Sequence, residues 1–163
     1  MAANRVVWRK WLVLVALLAI VFAVSAVGAS ITTPKISGWY AGLEKPSFQP
    51  PSWVFGPVWT ILYVMMAVAA WRVWLAPDLG VGRRRGLIWF AIQLTLNALW
   101  SPVFFGLEAP RLALAIIVLL LVALVYTILR FFPADRIAGW LMVPYLAWVA
   151  FATLLNAAIV WLN

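Results

Sequence analysis

The sequence contains no cysteine and no histidine among its 163 residues. Without cysteine, disulfide bonds, thiol nucleophiles and thiolate ligands for zinc or haem are excluded, and without histidine the commonest metal-binding side chain is missing too. We therefore predict no metal site and no required cofactor. The missing cysteines say nothing about the redox compartment, because a chain without thiols suits any compartment.

Charge is also scarce, and acidic charge most of all. Charged residues make up 10% of the chain, with 12 lysines and arginines against 4 aspartates and glutamates. Hydrophobic residues account for 67%, and the mean hydropathy is +1.07. This profile is too apolar for a water-soluble globular domain, so it predicts a membrane protein.

Five apolar segments reach the roughly 20 residues that a helix needs to cross the hydrocarbon core. A β-barrel would instead need roughly 10-residue segments of alternating hydrophobicity, and the continuous apolar run at residues 112–129 does not alternate. We predict an all-α fold, a single domain in which five transmembrane helices form an integral membrane bundle. The predicted spans are residues 11–31, 58–76, 87–105, 112–132 and 137–162.

The first span also resembles a cleaved secretory signal, since basic residues precede it and small residues end it. Its apolar core is longer than the 7 to 15 residues usual in a signal, and small residues recur along it at helical spacing. We favour a retained helix, with those small residues forming a packing stripe. The stripe consists of Ala16, Ala19, Ala23, Ala26 and Ser30.

The net charge of +8 is distributed unevenly over the predicted topology. The amino terminus, the second loop and the fourth loop share one side, and with the adjoining helix ends they hold Arg5, Arg9, Lys10, Arg72, Arg83, Arg84, Arg85, Arg130 and Arg136. The other side holds Lys35, Lys45 and Arg111. This asymmetry predicts a cytoplasmic amino terminus and an outside carboxyl terminus, in a bacterial inner membrane. We interpret the "GRRRG" run as a topology determinant rather than a lipid-headgroup or partner site, and we predict no nucleic-acid partner.

The first loop, residues 34–57, is the only long connector. The stretch "WYAGLEKPSFQPPSWVFGPVW" contains four prolines, three tryptophans and two phenylalanines, with Glu44 and Lys45 as its only charges. Prolines restrict the backbone to extended or turn geometry, so this segment is predicted to hold one shape. We refer to residues 34–57 as the lid loop.

Mildly polar side chains form stripes on two of the spans. Gln93, Asn97 and Ser101 lie at steps of four on the third span, and Tyr145, Trp148, Ala152 and Asn156 lie at steps of three and four on the fifth. Such stripes are typical of interhelical hydrogen bonding, and they also suit the lining of a pocket. Asn97 stands eight residues, about 12 Å of helix, from the end of its span on the lid-loop side. The lid loop and both stripes therefore converge on one region, which favours a pocket.

The lid-loop motif, together with "LNALWSPVFF" and "VPYLAWVAFATLLN", resembles the TspO/MBR family of tryptophan-rich sensory proteins and translocator proteins. The resemblance covers essentially the whole chain. It implies a five-helix bundle whose first loop covers a ligand cavity, a homodimer, and hydrophobic ligands within a lipid membrane. The ligands it implies are tetrapyrroles such as protoporphyrin IX, sterols in some members, and synthetic isoquinoline or benzodiazepine compounds.

Carried over residue by residue, the resemblance implies two sets of positions. The ligand-binding set is Ser30, Tyr40, Trp59, Asn97, Ser101, Trp148 and Ala152. The lid set is Trp39, Lys45, Pro46, Pro50, Pro51 and Trp53. The chain departs from the family where Phe48 replaces a further tryptophan. It also lacks the tyrosine and basic residue of the animal sterol motif, since Ala157 and Ala158 stand in the tyrosine region.

Three functions are compatible with these residues. The resemblance favours a sensor or translocator that binds tetrapyrroles. The alternative is an enzyme that degrades protoporphyrin with light and oxygen, in which Trp59 and Trp148 would take part in redox chemistry. The sequence offers no acid-base pair or activated nucleophile for conventional catalysis. A third possibility is an assembly partner whose cavity is incidental.

Overall fold

The computed structural model describes residues 2–77 and 81–163, with side chains from residue 8 to 77 and from 82 onwards. The described residues form helices and connecting turns without any strand. The helices are α1 (Ala2–Ile36), α2 (Trp39–Gly42), α3 (Phe55–Leu75), α4 (Val81–Ser101), α5 (Pro110–Ala134) and α6 (Arg136–Leu162). All but α2 are long and apolar enough to cross a membrane. The prediction of an all-α bundle with five such helices is confirmed.

The helix ends differ from the predicted spans where proline and polar residues occur. Helix α1 continues through Pro34 to Ile36, and α5 continues through Pro133, so that only Asp135 separates it from α6. A proline near the end of a helix interrupts few hydrogen bonds, since little helix follows it. The second loop, between the predicted spans 58–76 and 87–105, lies partly outside the described residues, and α4 already begins at Val81.

The lid-side end of α4 widens into a π-helical turn, Pro102–Gly106. Pro102 has no backbone N–H to donate to the preceding turn, and the ladder shifts so that the Leu107 N–H donates to the Pro102 carbonyl at 2.9 Å. Glu108 then adopts a positive φ of 53°, which turns the chain into α5. The π-helical turn buries Phe104 and Phe105, and their rings form the surface on which the lid loop rests.

Helix α1 is peripheral, whereas α3 to α6 form the core. In the most apolar 18-residue segment of each helix, 6% of the residues of α1 are buried, compared with 39% for α5. Helix α1 packs chiefly against α3. The small residues predicted to form a packing stripe are exposed on the surface of the single chain. A small-residue pattern identifies a face that permits close approach, but it does not identify the partner.

An ion pair fixes the opposite end of the bundle from the lid loop. Arg72 donates from Nε and Nη2 to the two carboxylate oxygens of Asp135, at 3.0 and 2.8 Å. Oδ1 of Asp135 also accepts from the Ala138 N–H at 2.8 Å, so it caps α6. Partial burial raises the pKa of Asp135, but the hydrogen bonds and charge of Arg72, with the backbone hydrogen bonds, outweigh this and hold the pKa below its ordinary value.

Candidate functional site

The lid loop rests on the π-helical turn through aromatic contacts. Short helix α2 places Trp39 and Tyr40 against the two buried phenylalanines. The Trp39 ring lies 5.7 Å from that of Phe104, and the Tyr40 ring lies 5.4 Å from that of Phe105, measured between centroids. These tilted and edge-on geometries are the favourable ones for aromatic pairs, so the predicted lid residue Trp39 attaches the loop to the bundle.

Hydrogen bonds within the lid loop fix its shape. The Tyr40 hydroxyl donates to Oε1 of Gln49 at 3.1 Å, and burial raises the pKa of Tyr40, so the hydroxyl keeps its proton. Lys45 folds back over the Tyr40 ring, with Nζ 5.0 Å from the ring centroid. The same ammonium donates to the carbonyls of Ala41 and Leu43 at 3.1 and 2.8 Å. Lys45 therefore stabilises the fold of the loop.

The prolines of the lid loop begin its turns. The Pro46 carbonyl accepts from the Gln49 N–H, and the Pro51 carbonyl accepts from the Val54 N–H, both at 3.0 Å. Pro50 is half-buried between these turns. Trp53, by contrast, is 74% exposed, so this predicted lid residue faces outward rather than toward the bundle.

Two polar contacts fasten the lid loop to other helices. The Glu44 N–H donates to Oδ1 of Asn163 at 3.0 Å, and Nδ2 of Asn163 donates back to the Glu44 carbonyl at 3.1 Å. We refer to this reciprocal pair as the clasp. Beside α5, Nζ of Lys35 lies 2.6 Å from Oε1 of Glu108. Both contacts are solvent-exposed, so each contributes little and can open.

A cavity of about 30 Å³ lies inside the bundle. Its lining residues are Trp59, Tyr63, Asn97, Trp100, Ser101, Ile117, Leu120, Val149 and Ala152. Trp100 in its wall stacks on Phe104, which in turn contacts Trp39 of the lid loop. A site for one water needs about 10 to 15 Å³ measured in this way, whereas small-molecule pockets usually enclose about 300 to 1,000 Å³. The cavity in this conformation has room for only one or two waters, so a larger ligand requires the lid loop or the helices to move.

The cavity wall contains a hydrogen-bonded triad from three helices. The Tyr63 hydroxyl donates to Oδ1 of Asn97 at 2.8 Å, and Nδ2 of Asn97 donates to the Tyr145 hydroxyl oxygen at 3.0 Å. The Trp59 ring stacks on Tyr63 at 5.4 Å and meets Tyr145 edge-on at 6.0 Å. The triad thus gives the Asn97 amide hydrogen-bond partners, and its two tyrosine rings support the Trp59 indole that lines the cavity.

A family profile described as TspO/MBR matches residues 15–162. The chain belongs to the TspO/MBR family. It is 43% identical over 160 residues to the "Tryptophan-rich protein TspO" of Chlorobaculum tepidum, an alignment that covers 95% of this chain and 98% of that protein. It is 40% identical over 150 residues to the protein of the same name from Archaeoglobus fulgidus, covering 92% and 96%.

Identity extends to the animal members of the TspO/MBR family. The chain is 40% identical over 121 residues to the human "Translocator protein", covering 72% of this chain and 70% of that protein. The family assignment and the five apolar helices together make this chain an integral membrane protein.

The structure divides the ligand-binding set predicted from the TspO/MBR resemblance. Trp59, Asn97, Ser101 and Ala152 all line the cavity. The other three members, Ser30, Tyr40 and Trp148, lie outside its lining.

Each of these three has different surroundings. Ser30 is exposed, and its hydroxyl donates to the Val27 carbonyl of the same helix at 2.8 Å. Tyr40 belongs to the lid loop. Trp148 contacts Phe55 and Phe151 at centroid distances of 5.6 and 5.7 Å, at the base of the lid loop.

The two stripes prove to have mixed roles. Asn156 accepts from Nε1 of Trp100 at 3.2 Å and donates to the Pro110 carbonyl at 3.0 Å, which is interhelical bonding. Asn97 both bonds between helices and lines the cavity. Gln93 is fully buried, and neither end of its amide has a partner among the described residues; the same holds for Nε1 of Trp148.

Several cavity residues were not predicted from the sequence. Tyr63 follows Trp59 by four positions and so shares its helix face, a signal that could have identified it. Trp100 is adjacent to Ser101 in sequence. Ile117, Leu120 and Val149 carry no distinguishing signal, because an apolar residue in a membrane helix looks the same whether it faces a cavity, a neighbouring helix or lipid.

Proposed function

We propose that this protein binds a flat, hydrophobic tetrapyrrole, such as protoporphyrin IX, in the region beneath the lid loop and acts as a sensor or translocator of that ligand. The observation that carries the proposal is the position of the cavity. Its wall presents the Trp59 indole beside Asn97, and Trp100 in the same wall stacks on Phe104, which contacts Trp39 of the lid loop. The names of the relatives, tryptophan-rich protein and translocator protein, agree with this role.

Binding in this proposal begins with displacement of the lid loop. The enclosed volume of about 30 Å³ is an order of magnitude below that of usual small-molecule pockets, so the present conformation is closed. The contacts at the rim of the lid loop are an exposed ion pair and the clasp, both of which are weak in water. When the lid loop lifts, the aromatic faces of Trp39 and Tyr40 become available to a flat ligand.

The chemistry of the cavity favours a metal-free ring over haem. A tightly held haem needs an axial ligand, and the chain has neither histidine nor cysteine. Methionine and tyrosine remain as candidates. Of these, Met65, Met142, Tyr40 and Tyr145 do not line the cavity, whereas Tyr63 lines it but already donates its hydroxyl to Asn97. Tyr145 is also fully buried and engaged with Asn97.

Two titrations in one detergent test this proposal. Fluorescence titration with protoporphyrin IX and optical titration with haem should give an affinity for the free base at least equal to that for haem, with no strong axial ligation. Absence of saturable protoporphyrin binding would refute the proposed function. A haem affinity tenfold higher, or about 1.4 kcal/mol, with a low-spin six-coordinate spectrum would refute the preference.

A second candidate function is the light- and oxygen-dependent degradation of the bound ring. Trp59 favours it, because its oxidisable indole faces the cavity and stacks on Tyr63 within reach of Tyr145. Illumination with and without oxygen distinguishes the two functions. Degradation is supported if the pigment is converted to a defined product only in the presence of oxygen, and if Trp59→Phe does not form that product. Unchanged pigment supports binding alone.

We further propose a homodimer that forms through α1. Its small residues, including Ala19 and Ala23, lie exposed on a helix that is otherwise little buried, and small residues allow close helix approach in membranes. Because the chain has no cysteine, Ala23→Cys would carry the only thiol. Oxidation should give a disulfide-linked dimer, whereas a cysteine at exposed Leu154 of α6 should remain monomeric. The reverse pattern would place the interface on α6.

A further inference from the structure

The seam between α4 and α5 has an unusual composition at the end of the bundle away from the lid loop. Arg85, Gly86 and Trp89 belong to α4, while Tyr126 and Arg130 belong to α5. Residues four apart on a helix lie on the same face, so each arginine stands one turn beyond the aromatic residue of its own helix. We refer to these five residues as the arginine seam.

The two helices approach closely at the arginine seam. A Cβ atom added to Gly86 would lie 3.4 Å from Cβ of Arg130 and 3.3 Å from the Phe131 ring, so a larger residue would push the helices apart. One turn toward the middle of the membrane, the rings of Trp89 and Tyr126 stack with centroids 4.9 Å apart and an interplanar angle of 17°. The close approach at Gly86 therefore places Arg130 beside the residue that follows Arg85, about one turn from the Trp89–Tyr126 stack.

The arginine seam carries positive charge without an acidic partner in the described part of the chain. Arg85 and Arg130 are exposed, and neither makes a hydrogen bond or ion pair with any residue in the described part of the chain. Arg85 lies near the amino-terminal end of α4, which has no acidic residue in its first turn. That end carries the positive pole of the helix dipole, where a cation is unfavourable and an anion is stabilised.

The acidic residues in the described part of the chain all lie away from the arginine seam or bind another residue. Asp135 binds Arg72, whereas Glu44 and Glu108 lie at the lid end. Among the described residues, the arginine seam therefore has no acidic partner.

We propose that the arginine seam binds an anionic phospholipid, with the phosphate between the two guanidinium groups and the first part of an acyl chain over the Trp89–Tyr126 stack. This revises the interpretation of the "GRRRG" run as a topology determinant alone, since Arg85 belongs to that run. Arginine favours phosphate because its planar fork can donate two hydrogen bonds at once. The stack distinguishes a lipid from a free anion. Tyr126 is 44% exposed, and it is flanked by exposed Val122 and Leu129 on the membrane-facing surface of α5, where an acyl chain packs and a soluble anion gains nothing.

Native mass spectrometry of the full-length protein tests this assignment. The protein is equilibrated with equal amounts of phosphatidylglycerol and phosphatidylcholine that carry the same acyl chains, and retained lipid is counted. We expect the parent to prefer phosphatidylglycerol. Arg85→Gln with Arg130→Gln should weaken that binding about thirtyfold, which is about 2 kcal/mol for two arginines. The control pair Arg111→Gln with Arg136→Gln removes the same charge away from the seam and should retain the preference.

Three results would overturn the proposal. The first is equal affinity of the parent for the two lipids, and the second is an equal loss of phosphatidylglycerol binding in the seam and control variants. The third is displacement of the lipid by glycerophosphate at the same concentration, which would indicate a free-anion site. A second measurement covers the case in which the seam variant does not fold. Acyl-brominated phosphatidylglycerol should quench the parent more than Trp89→Phe, and identical quenching of both proteins would exclude lipid at the stack.

Discussion

Asn97 shows how one residue can join helices and line a cavity at once. Its amide carbonyl and amino groups bond to phenols on α3 and α6, which leaves the side chain fixed with one edge toward the cavity. In a membrane interior these groups have no bulk water to replace a lost partner. The triad therefore sets both the spacing of three helices and the polarity of the cavity wall.

Replacement of Asn97 by alanine should destabilise the bundle measurably. Two interhelical hydrogen bonds are lost, and each such bond in a membrane protein contributes about 0.6 kcal/mol, so we expect the unfolding free energy to fall by about 1 kcal/mol. Thr95→Ala is the matched control, because its exposed hydroxyl bonds only to the Ala91 carbonyl of its own helix. Denaturant unfolding in one detergent compares them, and equal losses would contradict a special role for the triad.

At single positions, polar residues were the most predictable part of the site. Asn97 and Ser101 stand out in an apolar helix because burying an amide or hydroxyl requires a partner or a function. The same reasoning could not distinguish these cavity residues from polar residues with a purely structural partner. Asn156 bonds between helices, and the Ser30 hydroxyl bonds to a carbonyl of its own helix. Spacing identifies a helix face, but the rotation and distance of the neighbouring helix decide what that face meets.

Among the structural elements, α6 depends on Asp135 for its start. Its carboxylate both caps the helix and binds Arg72, and its pKa is lower in the folded than in the unfolded protein. The resulting stabilisation is complete above the unfolded pKa of about 3.9. It is lost as the pH falls below that value and through the lowered folded-state pKa.

We therefore expect the unfolding free energy to decrease on acidification below about pH 4. In Arg72→Gln, the strongest partner of Asp135 is removed, so the decrease over the same pH range should be smaller. Chemical unfolding in detergent between neutral and acidic pH measures both proteins. An identical acid dependence in the two would show that other groups cause the loss.

The lid loop is a second element whose stability can be tested. Asn163→Ala removes both hydrogen bonds of the clasp, and exposed bonds of this kind contribute about 0.5 kcal/mol each. We expect opening to become easier by about 1 kcal/mol, so that protoporphyrin associates and dissociates about fivefold faster. Stopped-flow fluorescence measures the rates. Lys35→Ala, which breaks the neighbouring ion pair, should act in the same direction, and unchanged rates in both variants would exclude the lid loop as the gate.

The lid loop and the π-helical turn differ in how far the sequence could predict them. The prolines and aromatic residues of the lid loop predict an ordered segment, and its turns do begin at Pro46 and Pro51. The widened turn after Pro102 could not be predicted, because a proline there is equally compatible with a kink or a helix end. Its consequence, the burial of Phe104 and Phe105 as a platform, depends on tertiary packing.

For the whole molecule, hydropathy was sufficient to predict the class and number of membrane helices. It could not predict that α1 would be peripheral, because an apolar helix face can contact lipid or another helix equally well and lipid is as apolar as a helix interface. Nor does the loop motif reveal that the cavity is closed to about 30 Å³.

The orientation of the whole chain follows from its charge distribution. Basic residues cluster at the end of the bundle that includes Arg84, Arg85 and Arg130, so we expect that end in the cytoplasm of a bacterial inner membrane and the lid loop outside. Reporter fusions at the amino terminus and within the lid loop measure this. A periplasmic amino terminus, or fractionation with the outer membrane, would contradict the prediction.

Ligand binding by tryptophan variants tests the central claim, a tetrapyrrole site beneath the lid loop, most directly. Trp59→Leu removes the indole that faces the cavity and keeps an apolar side chain, whereas Trp161→Leu alters a residue that is 89% exposed at the end of α6. Fluorescence titration with protoporphyrin IX should show Trp59→Leu weakened by about 1 to 3 kcal/mol, the scale of aromatic stacking, and Trp161→Leu unchanged. Unimpaired binding by folded Trp59→Leu, or equal losses in both variants, would contradict a site at this cavity.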